Sequence, residues 1–215
     1  EYSQVLDHRL ENRVSIIIYN SHNDFQQTNV IDSYLFEGIN GVTELYKNRI
    51  VVPFDGSIEE FEHVIRHELV HAFINDLIYE GSYRKMVSNA VQVRIPLWMN
   101  EGLAEYLSAY WDENSEMWIR DLAMNSTNLP SIRDLNGYLA YRGGQSVWIF
   151  ITKKWGNEVI AEIFHSIKKK NNLQQGIKKA LGIDLKELNI QWQEYLKTTY
   201  WPDINKTQLI DNFST

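Results

Sequence analysis

The rhythm of hydrophobic positions changes near residue 56. Before it, apolar residues come in short β-branched runs. After it, they recur every three or four positions. Val14 to Tyr19 is such a run, closed by Asn20-Ser21, and predicts a strand. Val42 to Leu45 and Arg49 to Pro53 flank a short polar turn and predict a hairpin. Asp55-Gly56 makes a turn. Ser57-Ile58-Glu59-Glu60 then has the form of a capping box, with Ser57 as N-cap and Glu60 at N3. Phe61, Val64, Ile65, Ala72 and Phe73 follow at helical spacing. Residues 81 to 95 carry no clear pattern. Pro96 suits the first turn of a helix running through Tyr110. Gly144 to Trp155 is apolar nearly all round, which predicts a buried helix stopped by Gly156. Asn157 is expected to cap the next helix, up to Lys170. Asp184 with Glu187 forms another capping box, with Ile183 and Leu188 as its hydrophobic staple. The amphipathic helix after it carries Leu188, Trp192 and Tyr195. The expected fold class is α+β: a small N-terminal sheet lobe, then a helical lobe.

Composition narrows the picture. The chain has 215 residues, 44% hydrophobic and 13% aromatic, which suits a packed core and argues against disorder. Acidic side chains outnumber basic ones, 28 to 21, and the formal net charge is −7. An acidic domain with no basic block is a poor partner for nucleic acid. The one dense basic run, Lys168-Lys169-Lys170, falls where a helix should end and complements its macrodipole. There is no cysteine, so disulfides, thiolate metal sites and a cysteine nucleophile are excluded. The longest apolar stretches, such as Ile16-Ile17-Ile18, are far too short to span a bilayer. The chain starts at Glu1 and reads as a mature or excised piece of something longer. It is expected to be a single domain over 1–215. Residues 1–80 would form the sheet lobe with the active-site helix, and 81–215 the helical lobe.

Two segments carry chemistry. His67-Glu68-Leu69-Val70-His71 lies inside the first long helix. Histidines at i and i+4 project from one face about one turn apart, so both imidazoles can reach one metal ion. Glu68 follows the first His and can stand beside the metal, where it can take a proton from a water. The bland alternative is a solvated helix face with two surface His and a Glu. The second segment, Pro96 to Tyr106, weakens that alternative. It includes Glu101, 30 positions after His71, and Glu105 one turn further on. A catalytic zinc needs three protein ligands and one open position. Two His leave one ligand to find. One of the two glutamates can bind the metal while the other accepts the N–H of a ligating His. Gly102 and Ala104 are small enough to let this helix approach the first closely.

HELVH followed by WMNEGLAEY resembles the gluzincin branch of zinc metallopeptidases, and most of all the bacterial peptidase MA-like domains. The stretches MWIRDLAMN, LPSIRDLN and AYRGGQSVWIFI are similar to that group's pattern as well. The resemblance covers most of residues 14 to 200. It implies a thermolysin-like zinc peptidase core, with the site in a cleft between the two lobes. His67, His71 and Glu101 would be the zinc ligands. Glu68 would be general base and then proton shuttle. Glu105 falls where related enzymes place a carboxylate that orients the first His. Related enzymes stabilise the oxyanion with a Tyr or His from the C-terminal lobe. Here Tyr141 is the first candidate and Tyr138 the second, with packing as the alternative for both. An edge strand would line the cleft and could pair with an extended peptide, and the Arg49 to Pro53 region is the expected one.

The implied activity is zinc-dependent hydrolysis of peptide bonds within chains. The aminopeptidases of the family carry a Gly-x-Met-Glu-Asn segment that binds a free amine, and Gly41-Val42-Thr43-Glu44-Leu45 does not match it. The spacing between the second His and Glu101 is longer than in those enzymes, so residues 79 to 95 are expected to add a loop near the cleft. Such domains often precede a TolB-like β-propeller in exported bacterial proteins, which implies a periplasmic or cell-surface location. The competing reading is a peptidase-fold scaffold or binding module that is catalytically silent. His63 reads as structural or as a support for the ligands, since a fourth protein ligand would close the open position. His8, His22 and His165 have no partner motif. Trp148, Phe150, Trp155 and Phe164 read as core. Trp111 to Asn114 reads as a solvated helix end, since it lacks the ligand spacing of a calcium loop.

Overall fold

The computed structural model describes residues 1–27, 40–44, 48–80, 93–109, 111–126 and 128–211. A short helix α1 (Tyr2–Val5) leads to β1 (Ser15–Tyr19), α2 (His22–Gln26), β2 (Val42–Glu44) and β3 (Arg49–Pro53). Among the described residues these strands form one mixed sheet, in the order β1-β3-β2. β2 runs antiparallel to β3, with Val42 opposite Val51 and Glu44 opposite Arg49, so the expected strand pairing is present. Its polar turn, and Leu45 with it, lies outside the described residues, as do 81–92 of the expected added loop. β1 pairs in parallel with β3, Ile16 opposite Ile50 and Ile18 opposite Val52. This long-range pairing corrects one expectation. Arg49–Pro53 is the central strand, its hydrogen-bonding groups taken on both sides. Among the described residues β2 is the edge beside the cleft.

Alternation along β3 sets the packing of the sheet. Ile50 and Val52 face the first half of α3 (Ile58–Tyr79), beside Phe61, Val64 and Leu69. Val51 turns the other way, onto Phe25. The capping box at the start of α3 forms: Ser57 Oγ accepts the Glu60 N–H at 3.2 Å. The second half of α3 leaves the sheet and enters the helical core through Val70, Ile74, Leu77 and Ile78. That core reaches from Leu6 to Tyr200.

The remaining helices are α4 (Leu97–Ser108), α5 (Glu113–Asn125), α6 (Tyr138–Trp155), α7 (Val159–Lys170), α8 (Leu173–Leu181) and α9 (Leu185–Asp211). A 3₁₀ turn at Ile132–Asp134 precedes α6. The molecule is mostly helical with a small mixed sheet, an α+β chain. α4 stops at Ser108, short of the expected end, and Tyr110 lies outside the described residues. α6 starts at Tyr138, earlier than Gly144, and stops where Gly156 takes φ +87°. Asn157 is not the cap of α7. Glu158 holds that position, and Asn157 Oδ1 accepts the Tyr106 hydroxyl instead, at 3.3 Å. Asp184 does cap α9, accepting the Glu187 N–H at 2.9 Å.

The buried tryptophans have partners for their polar ends. Trp148 Nε1 donates to the Met99 carbonyl at 3.0 Å, and Trp192 Nε1 to Ser146 Oγ at 3.1 Å. Around them, α4 and α6 meet backbone to backbone. A Cβ on Gly102 would lie 2.3 Å from the Gly144 carbonyl carbon, and one on Gly144 would lie 2.2 Å from the Trp98 oxygen. The small size of Gly102 thus serves the contact with α6, which corrects the expectation that it serves α3. Two of the isolated histidines, His8 and His165, have local partners. His8 Nε2 lies 2.7 Å from Asp76 Oδ2, and His165 Nε2 lies 3.1 Å from the carbonyls of Leu6 and Asp7. Asp112 caps α5 by accepting the Ser115 N–H at 2.7 Å, as a helix end would. No described helix is long and apolar enough to cross a membrane.

Candidate metal centre

Helical periodicity does the first part of the assembly. His67 and His71, one turn apart on α3, turn the same way, and their Nε2 atoms lie 3.1 Å apart. α4 crosses α3 and brings Glu101 to the same point. Glu101 Oε2 is 3.2 Å from each Nε2. The three atoms form a nearly equilateral triangle.

The donor set fits a metal ion. A tetrahedral ion with ligands at roughly 2.0–2.1 Å separates them by about 3.3–3.4 Å. The triangle edges of 3.1 to 3.2 Å are close to that. Protonation states point the same way. His67 Nδ1 lies 3.0 Å from Glu105 Oε1 and donates to it, which leaves the Nε2 lone pair facing Glu101 and His71. Three donor atoms this close need a proton or a cation among them. In the metal-free chain a proton does it. Burial alone would lower the His67 pKa, but its bonds to Glu101 and Glu105 overcome that and raise it to about 9. Burial would likewise raise Glu101, but His67 and His71 hold it down at about 2.

A second layer steadies the first. Glu105 Oε1 faces His67 Nδ1 and also His63 Nε2, at 3.4 Å, while Glu105 Oε2 accepts from Arg142 Nη1 at 3.0 Å. Burial opposes ionisation of Glu105, yet His63 and His67 hold it well below the usual carboxylate range. Arg142 also donates to Ser115 Oγ at 3.0 Å, and Ser115 reaches Gln145 at 3.1 Å. His63, His67 and Glu105 thus form a cluster of donor atoms too. Arg142 already neutralises its carboxylate, and His67 Nδ1 is committed as a donor.

Glu68 lies beside the triangle, 6% exposed, in a cleft of about 470 Å³. Asn40, Gly41, His63, Tyr138, Tyr141 and Arg142 share that cleft. Thr43 Oγ1 lies 2.5 Å from Glu68 Oε2. Tyr141 stacks on the His67 ring, with centroids 5.8 Å apart and planes 18° off parallel. Burial, then the charge of Glu101 and a hydrogen bond to it, pushes the Tyr141 pKa far above its ordinary value. Its hydroxyl therefore stays a donor. The Tyr138 hydroxyl accepts from Arg142 Nε at 3.2 Å.

All six residues singled out from the sequence meet at this place: His67, His71, Glu101, Glu68, Glu105 and Tyr141. Sequence reasoning missed Thr43, Gly41 and Arg142. Arg142 sits next to Tyr141, but only the fold shows that it turns toward Glu105. His71 Nδ1 and Asn100 Oδ1 are buried without a hydrogen-bond partner among the described residues.

A long helix with two histidines and a glutamate, crossed by a second helix that supplies a carboxylate, gives an α+β chain with a group of donor atoms that could hold a metal ion. A family model of the peptidase MA superfamily matches residues 3–198. The chain belongs to that superfamily, as a peptidase MA-like domain. No curated protein and no solved structure matches it.

Proposed function

We propose that this chain is a zinc-dependent peptidase that cleaves bonds within peptide chains, with Glu68 as general base. One observation carries the reading: three donor atoms converge at 3.1 to 3.2 Å beside a carboxylate in an open cleft. Two imidazoles and one carboxylate suit zinc. His67, His71 and Glu101 would hold it. Bound there, it would supply a Lewis acid for the scissile carbonyl and make water acidic enough to attack near neutral pH. Glu68 takes the proton from the attacking water and passes it to the leaving amine. Glu105 holds His67 in the tautomer that offers Nε2 to the ion. Tyr141 keeps its proton and can donate to the oxygen on which charge develops. A thermolysin-like core around this site belongs to the same proposal. So does export to a bacterial periplasm or surface ahead of a β-propeller, which rests on the resemblance alone.

The test is a digest of a peptide library by zinc-loaded protein. Cleavage at internal bonds is expected. It should fall by about 10³-fold in Glu68→Gln, with the zinc content unchanged. Release of single N-terminal residues would replace the endopeptidase reading with an exopeptidase one. No cleavage by zinc-loaded protein would favour a silent peptidase-fold scaffold.

A further inference from the structure

The segment that leads into β2 touches Glu68 at two points. Thr43 Oγ1 lies 2.5 Å from Glu68 Oε2 and 2.9 Å from the Glu68 backbone oxygen. One hydroxyl proton thus faces two acceptors of the same residue, and the short contact to the carboxylate is the charge-assisted one. Two positions earlier, Gly41 lies against the other side of the same side chain. A Cβ there would fall 2.9 Å from Glu68 Cγ and Oε1, and 2.8 Å from Val64 Cγ1. Residues two apart in an extended segment share a face, and this face meets α3. One residue grips Oε2. The other leaves room for Oε1.

A carboxylate at the end of a glutamate turns easily, because its last torsion is broad and nearly two-fold. A general base must instead present one oxygen to one proton, and small misplacements of reacting groups are costly. We infer that Gly41-x-Thr43 is a positioning device for Glu68: Thr43 engages Oε2, and Oε1 is left as the oxygen that takes the proton. The device acts through Glu68. This inference rests on the peptidase reading. Because the Thr43 hydroxyl also meets the Glu68 carbonyl, β2 and this turn of α3 are tied together at the base itself.

The test uses Thr43→Val, which keeps the shape and removes the hydroxyl, and Thr43→Ser, which keeps the hydroxyl. In Thr43→Val, kcat should fall by about 10- to 100-fold, with KM within about twofold and about one zinc per chain. Thr43→Ser should stay within about threefold of the parent. Crystals of zinc-loaded Thr43→Val should show the Glu68 carboxylate rotated or split between conformers, and those of Thr43→Ser should not. The proposal is overturned if Thr43→Val keeps its kcat, if Thr43→Ser loses as much as Thr43→Val, or if Glu68 stays in place in Thr43→Val crystals. Failure of the parent protein to cleave any peptide would count against the peptidase reading. The crystal comparison would still decide whether Thr43 holds Glu68.

Discussion

The donor triangle and Glu68 beside it are held by different means. His67, His71 and Glu101 stand on helices of the main core, and α4 is locked to α6 where Gly102 meets Gly144. Glu68 is held by β2, a strand of three residues at the edge of a small sheet, through one hydroxyl and one missing side chain. On the helix side, an error of a single methyl meets backbone that cannot yield. On the sheet side, it meets side-chain atoms of Val64 and Glu68. The geometry of the triangle is therefore coupled to global stability, while the orientation of the Glu68 carboxylate is set locally.

Alanine placed at glycines of the two sides breaks this contrast or sharpens it. Gly144→Ala drives a Cβ to within 2.2 Å of the Trp98 oxygen. It should cost about 3 kcal/mol. For a chain of this size that lowers the thermal midpoint by roughly 6–12 °C, read by calorimetry. Zinc affinity should fall with it, since α4 carries Glu101. Removing the support of His67 comes next. Glu105→Ala should weaken zinc binding by about 10- to 100-fold in a chelator competition, with His67, His71 and Glu101 untouched. Gly41→Ala is the counterpart of Gly144→Ala and should cost less, about 1–2 kcal/mol, because the atoms in its way belong to the side chains of Val64 and Glu68 and not to backbone. Turnover should nevertheless fall. Equal destabilisation by the two alanines would show that both sides are built alike.

The last effect is one of pH. His67 in the metal-free chain is raised from 6.5 to about 9, so its proton stabilises the fold fully below pH 6.5 and that contribution is lost as pH rises through 9. Glu101 is lowered from 4.5 to about 2, so its contribution is present above pH 4.5 and lost as pH falls through 2. The thermal stability of metal-free protein should therefore fall from pH 6.5 to 9. Metal binding displaces the His67 proton, so zinc-loaded protein should not weaken in that window, and loading near pH 7.5 should release about one proton.

The same contrast explains what could be read from the chain. Helix-borne chemistry repeats at fixed offsets, so His67, His71, Glu101 and Glu105 stand out as two short motifs. Capping at Ser57 and Asp184 and the stop at Gly156 are local for the same reason. The sheet side depends on pairings remote in sequence. Nothing near Arg49–Pro53 announces that β1 will pair with it in parallel, so a central strand was expected at the edge. Gly41 and Thr43 could be compared with an amine-binding segment but not placed against Glu68, because that contact exists only once β2 lies on α3. Gly102 was seen to be small, but its partner Gly144 is 42 residues away, from 102 to 144. Asn157 has the right chemistry for a cap and lost the position to Glu158, because Tyr106 engages its side chain.

Anomalous diffraction at the zinc edge, on crystals soaked in zinc, tests the central claim most directly. One strong peak is expected, within about 2.0–2.1 Å of His67 Nε2, His71 Nε2 and a Glu101 oxygen, with Glu68 beside it and unbound. It should vanish in His67→Ala. A triangle without a peak, or a peak that survives His67→Ala, would contradict it.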